Sequence, residues 1–179
     1  MRFVLTTFLM VLAANLFAQT EDIKVPHLVK KTLENTGCSA YFPDDEELVL
    51  ELSYAPDSSK VYTGEVVSDE YFFSLILVQL NGIEMTNLEE KESMLMNYMD
   101  YLKESFSIVG SAGYGKGHRI ESDPDAVGII DYWEDIECEP WAVKAWANKN
   151  TLAVMMLYGP NEYPLFNVQQ LFLDGFRFK

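Results

Sequence analysis

Residues 152–157 read Leu-Ala-Val-Met-Met-Leu, with no polar side chain at any position. A strand that is apolar on both sides needs cover on both faces, so this run belongs in the middle of a sheet. Residues 141–147, Trp-Ala-Val-Lys-Ala-Trp-Ala, precede it across the turn-forming Asn148-Lys149-Asn150, and the pair reads as an antiparallel hairpin. A second nearly unbroken apolar run, Tyr-Phe-Phe-Ser-Leu-Ile-Leu-Val-Gln-Leu at residues 71–80, halts at Asn81-Gly82. Its length suits a strand better than the rival buried helix, so a second central strand is expected there.

Around these runs the pattern changes period. In residues 47–54, Leu48, Leu50, Leu52 and Tyr54 share one side, as a half-buried strand requires. Pro56-Asp57-Ser58-Ser59 is a turn, and residues 61–67 read as a further strand. Leu88, Leu95, Met99, Leu102 and Phe106 then recur at helical spacing, widened by Met94 and Tyr98. Thr86 with Glu89, or Asn87 with Glu90, supplies an N-terminal cap, and Gly110 is the expected C-terminal stop. Strands are expected at residues 114–120, 127–133 and 139–147, with turns at 122–125 and around 135–137. A closing helix is expected over about 164–174, with Pro164 in its first turn, Leu165, Val168 and Phe172 on one side and Gly175 as its cap.

The expected order is three strands, a helix, four strands and a helix. This predicts an α+β fold: a mainly antiparallel sheet of about six or seven strands with helices on both faces, an α/β/α sandwich.

Residues 3–17 are almost wholly apolar and follow Arg2, too short for a comfortable membrane span, with Ala18 as a small residue for cleavage. Residues 1–18 are therefore read as a secretory signal, which makes the chain periplasmic or extracellular, with no stable membrane insertion once it is cleaved. Residues 19–36 are polar and weakly periodic, a flexible or partly helical lead-in, and residues 37–179 form one domain. With 13 basic and 28 acidic residues the net charge is −15, a surface that repels nucleic acid and anionic lipid. Export makes a disulfide between Cys38 and Cys138 permissible, with two separate buried thiols as the alternative.

No cofactor or catalytic motif is complete. Gly110-Ser111-Ala112-Gly113-Tyr114-Gly115-Lys116-Gly117 nearly matches a phosphate loop, but Gly117 stands where Ser or Thr is needed and the helix lies on the wrong side. Met94, Met96 and Met99 cannot converge on one copper ion from a continuous helix, and read as core. The acidic stretches 44–47 and 134–139 offer oxygen ligands for calcium without an ordered spacing, and a solvated acidic tip is the plain alternative. His118, near Asp123 and Asp125, is the one candidate for a hydrolase base. Trp141 and Trp146 lie an odd number of residues apart on one strand, hence on opposite faces; each packs under a helix, or one is exposed as a recognition surface.

The segment Gly37-Cys38-Ser39-Ala40-Tyr41-Phe42-Pro43, together with residues 141–158 followed by 166–178, resembles the PsbP-like family. That family includes the extrinsic photosystem subunit, the Mog-type Ran-binding factors and many exported bacterial proteins. The likeness spans residues 37–178 and lies in element order and aromatic placement. No position matches a Ran-contacting or photosystem-docking motif. The resemblance implies a non-catalytic binding or assembly role, as a monomer or weak oligomer, with an unknown protein or small ligand as partner. The alternatives are a small hydrolase built on His118 and a calcium-dependent surface module.

Overall fold

The computed structural model describes residues 25–159 and 166–179. Residues 1–18, read as a signal, lie outside the described residues, as does Pro164. In chain order the elements are β1 (Leu28–Thr32), β2 (Ser39–Pro43), β3 (Glu51–Tyr54), β4 (Lys60–Ser68), β5 (Tyr71–Gln79), α1 (Leu88–Ser105), β6 (Ile108–Ser111), β7 (Gly115–Ile120), β8 (Asp123–Asp135), β9 (Pro140–Ala147), β10 (Thr151–Tyr158) and α2 (Phe166–Asp174).

β1 and β2 pair in a two-stranded sheet, while the other strands form an eight-stranded sheet in the order β3-β4-β5-β10-β9-β8-β6, with β7 also on β8. All pairings are antiparallel. The two apolar runs are neighbours: β10 lies between β5 and β9, with Val154 opposite both Ile76 and Ala145. Every residue of β10 except Tyr158 is buried. The chain is mostly β, with helix the minor component.

Side chains of β9 and β10 alternate between two apolar clusters. On what we call the Trp141 face, Trp141, Val143, Ala145, Val154 and Met156 pack with Leu95, Met99 and Leu102 of α1. On the Trp146 face, Ala142, Trp146, Ala153 and Met155 pack with Val168, Phe172 and Leu173 of α2 and with Phe42 of β2. The two tryptophans thus occupy opposite faces, and both are buried, Trp141 6% and Trp146 1% exposed. Neither forms an exposed recognition surface. Gly128 sits opposite Trp146 in the β8–β9 register, and a Cβ at residue 128 would overlap the indole ring. Only a residue without a side chain lets the ring lie flat over β8.

At the start of α1 the Asn87 side chain accepts from the Glu90 N–H at 2.9 Å, and the Glu90 carboxylate accepts from the Thr86 N–H at 2.7 Å. The Asn87–Glu90 cap is the one that forms. Its C-terminal end departs from expectation: the helix ends at Ser105, Ser107 takes the left-handed conformation (φ 56°), and Gly110 lies inside β6.

Other expectations are corrected. The lead-in read as flexible or partly helical contains β1, whose ladder with β2 gives its polar residues backbone partners that periodicity does not reveal. β3 covers only the second half of residues 47–54 and all of it is exposed, because it is the sheet's edge; Leu48 and Leu50 alone reach the core. The turn expected at 122–125 is displaced, since β8 begins at Asp123. Cys38 and Cys138 are free thiols, the first buried and the second exposed. Thr36, beside Cys38, accepts through its carbonyl from Gln79, at the β9–β10 turn end of the sheet, whereas Cys138 lies in the β8–β9 turn at the other end. The length of β9, roughly 25 Å at ~3.3 Å per residue, separates the two ends, far beyond disulfide reach. Among the described residues no helix is long and apolar enough to cross a membrane.

Candidate functional site

Three groupings of polar side chains stand out, and only one faces open space. On the Trp146 face, Lys144 emerges from β9 between Ala142 and Trp146 with its side chain 3% exposed. Its ammonium lies 2.9 Å from His118 Nδ1, bonds the Asp174 carboxylate, and sits 4.9 Å from the centre of the Trp146 ring. An ammonium can only donate, so His118 accepts through Nδ1 and carries its proton on Nε2. Burial, then the Lys144 charge, push the His118 pKa below its ordinary value, and Asp174 pulls the other way.

This geometry removes what a general base needs. The Nδ1 lone pair is occupied, and Nε2 already bears a proton. The acids expected beside His118 are elsewhere: the Asp123 carboxylate accepts from the Asp125 N–H, and Asp125 lies 3.9 Å from Lys149. Replacing Lys144 with methionine keeps the stem over Trp146 and removes the positive charge. The His118 pKa is then expected to rise, which a histidine-proton titration by NMR checks; an unchanged or lower value contradicts the contact. In the wild type, a histidine with a lowered folded pKa is favoured neutral. Its stabilising contribution is full above the unfolded value of about 6.5 and fades as pH falls below it.

On the Trp141 face, Asp131 is wholly buried between Ile129 and Trp133. Oδ2 accepts from Ser111 Oγ at 2.7 Å and Trp133 Nε1 at 2.8 Å, and pairs with Lys103 at 2.9 Å. Oδ1 accepts from the Gly113 and Tyr132 N–H groups at 2.9 and 2.8 Å. The glycine-rich segment that imitates a phosphate loop therefore turns its amide toward an internal carboxylate. The acidic turn after β8 behaves alike: Asp135 accepts from Trp141 Nε1 at 3.0 Å and from the Glu137 and Glu139 N–H groups at 2.9 Å. Among the described residues no group of three or more His, Cys, Asp or Glu side chains is placed to hold a metal ion. Met99 is in the core, and Met94 and Met96 pack against it.

The third grouping is open. Beyond the end of α1, the Trp141 face of β3–β5 carries a groove of about 460 Å³ lined by Val49, Glu51, Glu65, Ser74, Ile76 and Phe106 among others. Register sets its floor: Glu65 opposes Ser74, Ser74 opposes Met156, and Glu51 opposes Thr63. Both Ser74 and Tyr158 donate to Glu65 Oε2, Tyr158 at 2.6 Å. The Tyr158 ring stacks on Trp141 at 3.8 Å and on Phe72 at 4.8 Å, which fixes its hydroxyl. Burial and then the Glu65 bond hold the Tyr158 pKa far above its ordinary value, so it stays a donor. Sequence reading passed over Glu65, Ser74 and Tyr158; Ser74 in the apolar run 71–80 was the available signal. Among the described residues no lysine, arginine or histidine lines this groove, and His118 and Lys144 have no part in it.

Comparison with family models, with curated proteins and with solved structures gives no match for the chain.

Proposed function

We propose that the chain is a non-catalytic, exported binding or accessory module, and that the groove over β3–β5 is its recognition surface. The observation that carries this reading is the contrast among the three polar groupings. Asp131, Asp135 and Lys144 are buried and spend their bonding capacity on internal partners. Glu65 is exposed, yet two hydroxyls organise it at the floor of a groove. Internal satisfaction is what stability demands of buried charge. An oriented carboxylate facing solvent is what recognition uses.

The sharing of the apolar residues between an α1 cluster and an α2 cluster supports a sheet covered on both faces, and hence a PsbP-like sandwich. Export rests on the apolar residues 3–17 behind Arg2, and the acidic surface argues against nucleic acid as the partner. A protein-observed NMR screen with neutral, cationic and anionic fragments tests the binding reading. Amide shifts are expected to gather at residues 49–51, 63–65 and 74–76. Shifts gathering instead around His118 and Lys144, or none anywhere, would reject it.

A further inference from the structure

The groove opens onto an edge of the sheet, and that edge has a chemistry of its own. Among the described residues β3 pairs only with β4, and all four of its residues are exposed. Through the register, Glu51 and Ser53 lie on the Trp141 face, beside the groove, and Leu52 and Tyr54 on the opposite one. Leu52 is 47% and Tyr54 65% exposed. An exposed edge strand presents unpaired N–H and C=O groups that an extended segment can complete. The side chains of an added strand alternate between the two faces, with a period of two. One set would meet carboxylates, Glu51 and, diagonal to it on β4, Glu65; the other would meet the exposed Leu52 and Tyr54.

We propose that β3 receives an extended segment of another polypeptide in which lysine or arginine alternates with apolar residues, its cations against Glu51 and Glu65 and its apolar side chains against Leu52 and Tyr54. The proposal rests on the binding reading and names its partner. Charge complementarity selects the occupant: among the described residues the groove is lined by carboxylates without a basic residue, and the whole chain carries a net charge of −15. The same charge argues against a second copy, which would bring like-charged edges together. The groove is an open shelf rather than an enclosed cavity, which suits one side chain of a longer partner better than a free small molecule.

The test uses the whole chain and a labelled nine-residue peptide alternating lysine with valine, read by fluorescence anisotropy and amide shifts. A glutamate–valine peptide and free lysine amide serve as comparators. Saturable binding is expected for the lysine peptide alone, with shifts at residues 49–54 and 63–65 and weakening as salt is raised. Glu65→Gln is expected to raise Kd about tenfold or more, since it removes a charge-assisted contact. Glu51→Gln, at an exposed position, changes Kd in the same direction and carries the test should Glu65→Gln disturb the fold. Equal binding of the glutamate peptide, indifference to both substitutions, or lysine amide binding as tightly as the peptide would each overturn the proposal. Fragments that occupy the groove while the lysine peptide does not would overturn it and leave the binding reading standing. A groove that takes neither would remove both.

Discussion

Replacing Asp131 with alanine is expected to lower the unfolding free energy by about 3–5 kcal/mol, the usual effect of breaking a buried ion pair from one side. The loss is large because one carboxylate serves several donors. Without it, the Trp133 indole N–H and the Ser111 hydroxyl lose their acceptor, the Lys103 ammonium is left with the Tyr114 hydroxyl at 3.2 Å and Asp100 at 3.6 Å, and the Gly113 amide with Ser111 Oγ at 3.3 Å. Urea unfolding at neutral pH measures the loss, and a change below about 1 kcal/mol would show that the hub does not hold β6, β8 and α1 together. The pH dependence gives a second check. Burial raises the Asp131 pKa, but the bonds from Ser111, Lys103 and Trp133 and the ammonium's charge outweigh it, so the net shift is downward. A lowered carboxylate contributes stability that is complete above the unfolded value of about 3.9 and is lost as pH falls through the folded one. The gap between wild type and Asp131→Ala is therefore expected to narrow in strong acid.

Trp146→Ala is expected to cost a comparable 3–5 kcal/mol, the range for emptying a large buried aromatic site. The indole fills the space above Gly128, and its Nε1 donates to the Leu173 carbonyl at 2.9 Å, fastening β9 to α2. The midpoint of thermal unfolding should fall by on the order of 10 °C for a chain of this length. The same substitution at an exposed recognition residue would leave the midpoint almost unchanged, so this measurement separates the two roles that sequence allowed for Trp146. Trp146→Phe refills part of the volume and should recover part of the loss, but not the bond to Leu173.

What could be read in advance depended on period. β5, β9 and β10 were legible because their apolar runs admit no arrangement but a buried one, and α1 because Leu95, Met99 and Leu102 repeat at helical spacing. β1 was not legible, since Val29, Lys30, Lys31 and Thr32 look like any polar segment until β2 lies beside them. β6 escaped because its Gly110 imitates a helix stop. The same limit applies to sites. Asp131 and Lys144 each stand alone inside an apolar stretch, and a lone charge there does announce a buried partner. Its identity, Lys103 for one and Asp174 for the other, is set by how elements distant in sequence come together. Glu65 and Tyr158 meet only because β10 brings a residue from the far end of the chain up to β5.

The position of β10 also dictates when the molecule can be finished. β5 is made early and β10 late, yet on the side of β5 away from β4, Gln79 pairs with Thr151 and Phe72 with Tyr158. A chain emerging from its amino end therefore holds two half-sheets, β3–β5 and the strands β6–β9, each with a raw inner border awaiting one late strand. Such borders are sticky, and pairings between distant segments form slowly. A nascent chain of this kind has reason to meet a holding chaperone before β10 appears, and a chain truncated before residue 151 should aggregate through its two unjoined half-sheets rather than form a smaller folded protein.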